Sequence, residues 1–140
     1  MSAQDDSGYQ LSLEGEGGFV HYRSLASARN SAEMGQRLSA ALELGRVHGV
    51  ARIMFDSRGT SFQTGIAAQY EYAYNQARRL GLTREWRIAM LVTPGDRSYD
   101  FMETAFVNSG YITRLFSDYQ RAVDWLCGRA EGDSGDGASG

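Results

Sequence analysis

Apolar and polar residues alternate in Tyr9-Gln-Leu-Ser-Leu-Glu14 and again in Phe19-Val-His-Tyr22, with Gly15-Glu-Gly-Gly18 between them. That period of two predicts a β-hairpin closed by a glycine-rich turn. No helical pattern follows Gly18, so the glycines are read as a turn and not as a loop that cradles phosphate. The period then changes. Met34, Leu38, Ala41 and Leu42 recur at helical spacing, with Ser31 as the expected N-cap and Gly45 as the expected stop. Ala51 to Phe55 is a continuous apolar run of strand length. Ile66, Tyr70, Ala73, Tyr74 and Ala77 mark the expected inner stripe of a second helix ending at Leu80-Gly81. Trp86 to Val92 predicts another strand, turned away by Pro94-Gly-Asp96. A helix follows from about Tyr99 to Asn108, with Met102, Ala105 and Phe106 inward and Gly110 at its carboxyl end. Tyr111 to Phe116 predicts the fifth strand. Ser117 with Gln120 three residues on reads as a capping box opening a last helix, with Ala122, Val123 and Leu126 inward and its end at Gly128.

The expected order is therefore ββαβαβαβα, an α/β fold with a hairpin followed by right-handed crossovers onto a mostly parallel sheet packed by helices. Parallel strands gather their carboxyl ends along one edge. The segments Asp56 to Gly65, Thr93 to Arg97 and Ser117-Asp118 should share it, and ligands of such sheets bind outside that edge.

The 140 residues suit one domain with its own core. Residues 1–8 and the Gly/Ser/Asp-rich 129–140 have little to bury and are expected to be disordered flanks of a domain spanning 9–128. No apolar run approaches membrane-spanning length and the amino terminus lacks a signal-peptide pattern, so a cytoplasmic protein without a transmembrane segment is expected. The lone Cys127 agrees with that expectation. All 14 basic residues are Arg, which removes Schiff-base, P-loop and kinase lysines from consideration. Residues 9–128 carry 13 Arg against 12 acids, and so near-neutral a body argues against nucleic acid as a partner.

Candidate chemistry lies at the strand-end edge. Asp56 and Arg58 could bind a polar ligand or partner, with Thr64 and Asp96 alongside; the plainer alternative has Asp56 accepting its own loop's amides and Arg58 paired with an acid such as Asp96. Asp56 as a receiver-type phosphoacceptor is rejected, because the necessary acidic pair and late lysine are absent. His21, His48 and Cys127 lack metal-ligand spacing, so neither a metal nor any other cofactor is expected. Cys127 beside Trp125 and Leu126 is read as a packed residue in preference to a nucleophile. Tyr72 and Phe101 fall off the expected inner stripes and form a candidate aromatic surface for a partner or small apolar ligand.

The strand ending Phe55-Asp56-Ser-Arg58, the loop Thr60 to Gly65 into a helix, and the finish Asn108-Ser-Gly-Tyr-Ile-Thr-Arg-Leu-Phe-Ser-Asp118 with Ala122-Val-Asp-Trp-Leu126 carry a likeness. Over residues 9–128 the chain resembles the STAS and SpoIIAA-like family, its SpoIIAA-like branch most of all. The family's founding members are bacterial anti-sigma factor antagonists. The resemblance implies a regulatory domain and a phosphorylated hydroxyl near the helix that follows the central strand. Here that stretch reads Phe62-Gln-Thr64-Gly65, which makes Thr64 the candidate phosphoacceptor, although it lacks the preceding acid and is read as an N-cap in preference.

The expected function is that of a non-enzymatic STAS-like signalling or binding domain acting through protein–protein interaction or small apolar-ligand contacts. The alternative is a small ligand carrier or enzyme using the strand-end crevice around Asp56 and Arg58. Homodimerisation through the hairpin edge or the aromatic surface is a further expectation.

Overall fold

A computed structural model describes residues 8–15, 18–61 and 65–128. Its elements are β1 (Tyr9–Glu14), β2 (Phe19–Ser24), α1 (Ser31–Val47), β3 (Arg52–Asp56), α2, β4 (Arg87–Leu91), α3 (Asp100–Asn108), β5 (Ile112–Phe116) and α4 (Tyr119–Leu126). Helix α2 runs as Ile66–Glu71, passes through a π-helical turn at Tyr72–Gln76 and ends with Ala77–Arg79. The five strands lie in sequence order, β1 antiparallel to β2 and the rest parallel. This is the expected ββαβαβαβα order, and it is consistent with a STAS-like topology. Among the described residues no helix is long and apolar enough to cross a membrane.

Strand alternation sorts the core into two layers. Val20, Tyr22, Ile53, Phe55, Ile88 and Met90 point to one face, where they meet Met34 and Leu38 of α1, Tyr72 and Ala73 of α2, and Met102 and Phe106 of α3. Phe19, Met54, Ala89, Leu91 and Phe116 point to the other and meet a single helix, α4, through Ala122, Val123 and Leu126. Sequential strand order with one crossover hand places α1, α2 and α3 on the same side. Strands β2 to β5 therefore contain no reversal of order and no topological switch point, the feature that opens a crevice in doubly wound sheets.

The helix boundaries differ from expectation in ways packing explains. The N-cap of α1 is Asn30, whose side chain accepts from the Glu33 N–H, while Glu33 accepts in turn from the Arg29 N–H. Ser31 is the first helical residue. At α4 the cap is Asp118, bonded to the Arg121 N–H, and not Ser117. Each site offers two adjacent cap-competent residues, and only backbone geometry chooses between them. Gly45 does not stop α1, which continues to Val47 and is followed by Gly49 at φ +70°. It is needed for close approach: a Cβ there would lie 2.6 Å from both the Trp86 ring and the Val50 carbonyl.

The inner stripe of α2 is also rotated from the expected one. Gln69, Tyr72, Ala73 and Ala77 are buried, whereas Ile66 is 59% and Tyr70 53% exposed. The π turn, marked by the Ala77 N–H bonded to the Tyr72 carbonyl five residues back, lies within this stretch.

Helix propensity favours alanine over glycine by about 1 kcal/mol, yet overpacking costs about 1–3 kcal/mol. Gly45→Ala is therefore expected to lower stability in urea denaturation, and a gain in stability would show that Trp86 yields freely.

Candidate functional site

The carboxyl end of β3 places successive residues on opposite faces of the sheet, and two arrangements result. On the α4 face Asp56 is fully buried. Parallel pairing sets Arg23 opposite Asp56 and His21 opposite Met54, so His21 shares a face with Asp56 one pleat away. The His21 Nε2 lies 2.9 Å from Asp56 Oδ2. Arg58 donates from Nε to Oδ1 at 2.8 Å and from Nη2 to Oδ2 at 2.7 Å, with its backbone N–H reaching Oδ1 at 3.3 Å. Glu14 stands 3.7 Å from His21 Nδ1 and accepts from Ser12 Oγ at 2.8 Å. Tyr119 closes the group, with the Arg58 guanidinium 5.5 Å over its ring and the His21 ring 6.2 Å away.

Burial is the largest single influence on the Asp56 carboxyl and would raise its pKa, but hydrogen bonds from Arg58 and His21 together outweigh it and hold the group well below the usual carboxylate range. The Tyr119 phenol is shifted upward by burial and by the nearby Glu14 and Asp56. Because Asp56 is ionised and accepts only, the hydrogen of the His21–Asp56 bond sits on Nε2. Its two oxygens already receive four hydrogen bonds, so the carboxylate has little capacity left to take a proton from a substrate. The arrangement suits a structural clamp joining β2, β3 and the loop after β3.

On the other face, Ser57 turns toward the three-helix layer, its N–H bonded to the Leu91 carbonyl. It lines a cavity of about 80 Å³ whose apolar wall includes Met34, Leu38, Met90, Met102 and Phe106. Tyr22, also on this wall, accepts from the Arg37 guanidinium at 3.1 Å, and burial pushes its phenol up to about 12. Tyr72 lies here as well, 7% exposed, its phenol pKa driven far upward by burial. Neither the Ser57 nor the Tyr72 hydroxyl has a hydrogen-bond partner among the described residues. The loop over the cavity is tied down from two sides. Tyr99 donates to the Thr60 carbonyl at 3.1 Å, and the Gly59 N–H donates to Thr93 Oγ1 at 2.9 Å.

Compared with protein-family models, curated proteins and solved structures, the chain matches none.

Of the residues singled out from sequence, Asp56 and Arg58 come together, in a pair with each other and not through Asp96. Asp96 instead accepts from the Ser98 N–H at 2.9 Å in its own turn. Thr64 lies outside the described residues, and the N-cap position of α2 is Gly65. Tyr72 is not a surface residue, because the α2 stripe is rotated toward it. Phe101 is half-buried, 6.3 Å from Tyr70, and it is Tyr70, Tyr74 and Ile66 that bring aromatic and aliphatic surface outward. Sequence reasoning missed His21 as a partner of Asp56. The alternation of β2 puts it opposite the core positions Val20 and Tyr22, but only the Val20↔Ile53 register brings it to the carboxylate. Among the described residues no group of His, Cys, Asp and Glu is placed to hold a metal ion.

Removing one partner of a buried ion pair costs about 3 kcal/mol or more, and Asp56→Asn is expected to lose that much at neutral pH. The folded-state pKa lies below the unfolded one, so ionised Asp56 stabilises the fold above about pH 4 and this contribution fades on further acidification. The stability gap between the wild type and Asp56→Asn should thus narrow from pH 5 toward pH 2 in chemical denaturation; a gap independent of pH would refute the assignment.

Proposed function

We propose that this chain is a non-enzymatic, STAS-like binding domain whose ligand is an apolar group a few carbons long bearing one hydrogen-bonding function. The observation that carries the reading is the cavity beside Ser57. Its wall is mostly apolar, and the Ser57 and Tyr72 hydroxyls, without hydrogen-bond partners among the described residues, are available to orient a guest. Its size suits a short alkyl or acyl end, with a larger molecule continuing outward past Ser27 and Tyr99.

A regulatory role of the STAS kind, in the cytoplasm, accords with the element order and with the strand ending in Asp56-Ser-Arg58. In that role occupancy of the cavity would be reported to a protein partner through the neighbouring helices. The Ile66, Tyr70 and Tyr74 surface of α2 offers apolar area for such a contact. The competing use of Asp56 and Arg58 as a catalytic crevice is disfavoured because the carboxylate's hydrogen-bonding capacity is spent on Arg58 and His21.

The test uses butanol with methyl-labelled methionines. Saturable shifts are expected at Met34, Met90 and Met102, which line the cavity, and not at Met54 on the opposite face. Losing one hydrogen bond of about 1 kcal/mol, Tyr72→Phe and Ser57→Ala should each weaken binding about fivefold. Equal shifts at Met54, or no saturation at all, would reject the cavity as a binding place.

A further inference from the structure

At the amino ends of the strands, opposite to the edge described above, a groove of about 460 Å³ lies between the last turns of α2 and α3 and the segments entering β4 and β5. Its lining is Tyr74, Arg78, Leu82, Thr83, Arg84, Asn108, Ser109 and Tyr111. It contains two guanidiniums and no acidic side chain. Arg84 has no acidic partner among the described residues, and Arg78 donates only to the Tyr74 carbonyl at 3.3 Å.

The usual role for such arginines is to satisfy the carbonyls left at helix ends. Here α3 does not need them. The carbonyls of Ala105, Phe106 and Val107 already accept from the N–H groups of Ser109, Tyr111 and Gly110. Tyr111 supplies the second, independent observation. The residue lines the groove and is only 7% exposed, its ring packed 5.5 Å from Phe106, and its hydroxyl has no hydrogen-bond partner among the described residues. Burial shifts this phenol upward while Arg78 and Arg84 pull it down, which places both cations within electrostatic reach of its oxygen. The position of Arg84 is also prepared. Gly110 adopts φ +97°, and a Cβ there would fall 2.6 Å from Arg84 Nε, so the absence of a side chain lets the guanidinium lie against the turn.

We propose that this groove binds a small organic phosphate, its phosphoryl oxygens taken by Arg84, Arg78 and the Tyr111 hydroxyl and its flat apolar body laid along Tyr74 and Leu82. A phosphate is favoured over a carboxylate because three terminal oxygens match donors converging from three separate segments, and guanidinium forks suit phosphate geometry. The Asn108 amide and the Thr83 hydroxyl stand at the same rim as further donors. The site is independent of the cavity beside Ser57, being lined by none of the same residues.

The experiment is a titration followed by amide NMR, with phenyl phosphate as probe and phenol and inorganic phosphate as controls. Phenyl phosphate should give saturable shifts confined to residues 74–78, 82–84 and 108–111 and bind more tightly than inorganic phosphate, while phenol gives none there. Arg84→Ala, at an exposed position, should weaken binding at least about tenfold, and Tyr111→Phe, which removes one oxygen, by about fivefold, as expected for bonds to a charged group. Unchanged spectra elsewhere in both variants would show that the fold is intact. Absence of saturation, shifts spread over every arginine-bearing surface, or wild-type affinity in both variants would overturn the proposal.

Discussion

A carboxylate with no exposed surface holds the corner at which β2 and β3 end. Burying Asp56 is tolerable only because Arg58 returns across two residues to bond both of its oxygens and His21 reaches it from the neighbouring strand. That requirement fixes the direction in which the chain leaves β3. With Asp56 pinned to the α4 face, Ser57 turns to the opposite face, and the loop to Thr60 is carried over the three-helix layer, where Gly59 and Thr60 are tied to Thr93 and Tyr99. The ion cluster and the cavity are thus consequences of one strand ending, one residue apart in sequence.

The topology explains why the proposed binding place is a cavity and not an open crevice. Strands in sequence order send every crossover helix to the same side, so no pair of neighbouring loops diverges at the strand ends. The helices must instead cover a sheet four parallel strands wide, and the space left where α1, α2 and α3 meet is the gap lined by Met34, Tyr72 and Met102. The lone α4 covers the other face mainly from β3 to β5 and reaches β2 at Phe19, which leaves His21 and Glu14 at the margin, the latter with its side chain 40% exposed.

Much of this fold is legible in the sequence, because period-two and helical patterns are properties of local segments. The hairpin, the inward Met102-Ala105-Phe106 face of α3 and the Ala122-Val123-Leu126 face of α4 are read directly. What is not legible depends on relations between segments. The role of Gly45 rests on the position of Trp86, which approaches α1 from a distant segment. The stripe of α2 is misassigned because Ile66 and Tyr70 resemble core residues while the buried Gln69 does not. The His21–Asp56 contact needs a register, and the register needs the whole sheet. The cavity has no sequence signal of its own, since it consists of what three helices leave unfilled.

The central claim is that binding belongs to the three-helix face and that the Asp56 cluster serves as its clamp. Native mass spectrometry of the protein isolated from its own host, beside the same preparation of Ala28→Leu, tests this most directly, because Ala28 lines the cavity and the larger side chain would fill it. The account predicts a small molecule riding on the wild-type chain, released on denaturation and missing from Ala28→Leu. A bare wild-type chain, or a bound molecule that survives Ala28→Leu, would contradict it.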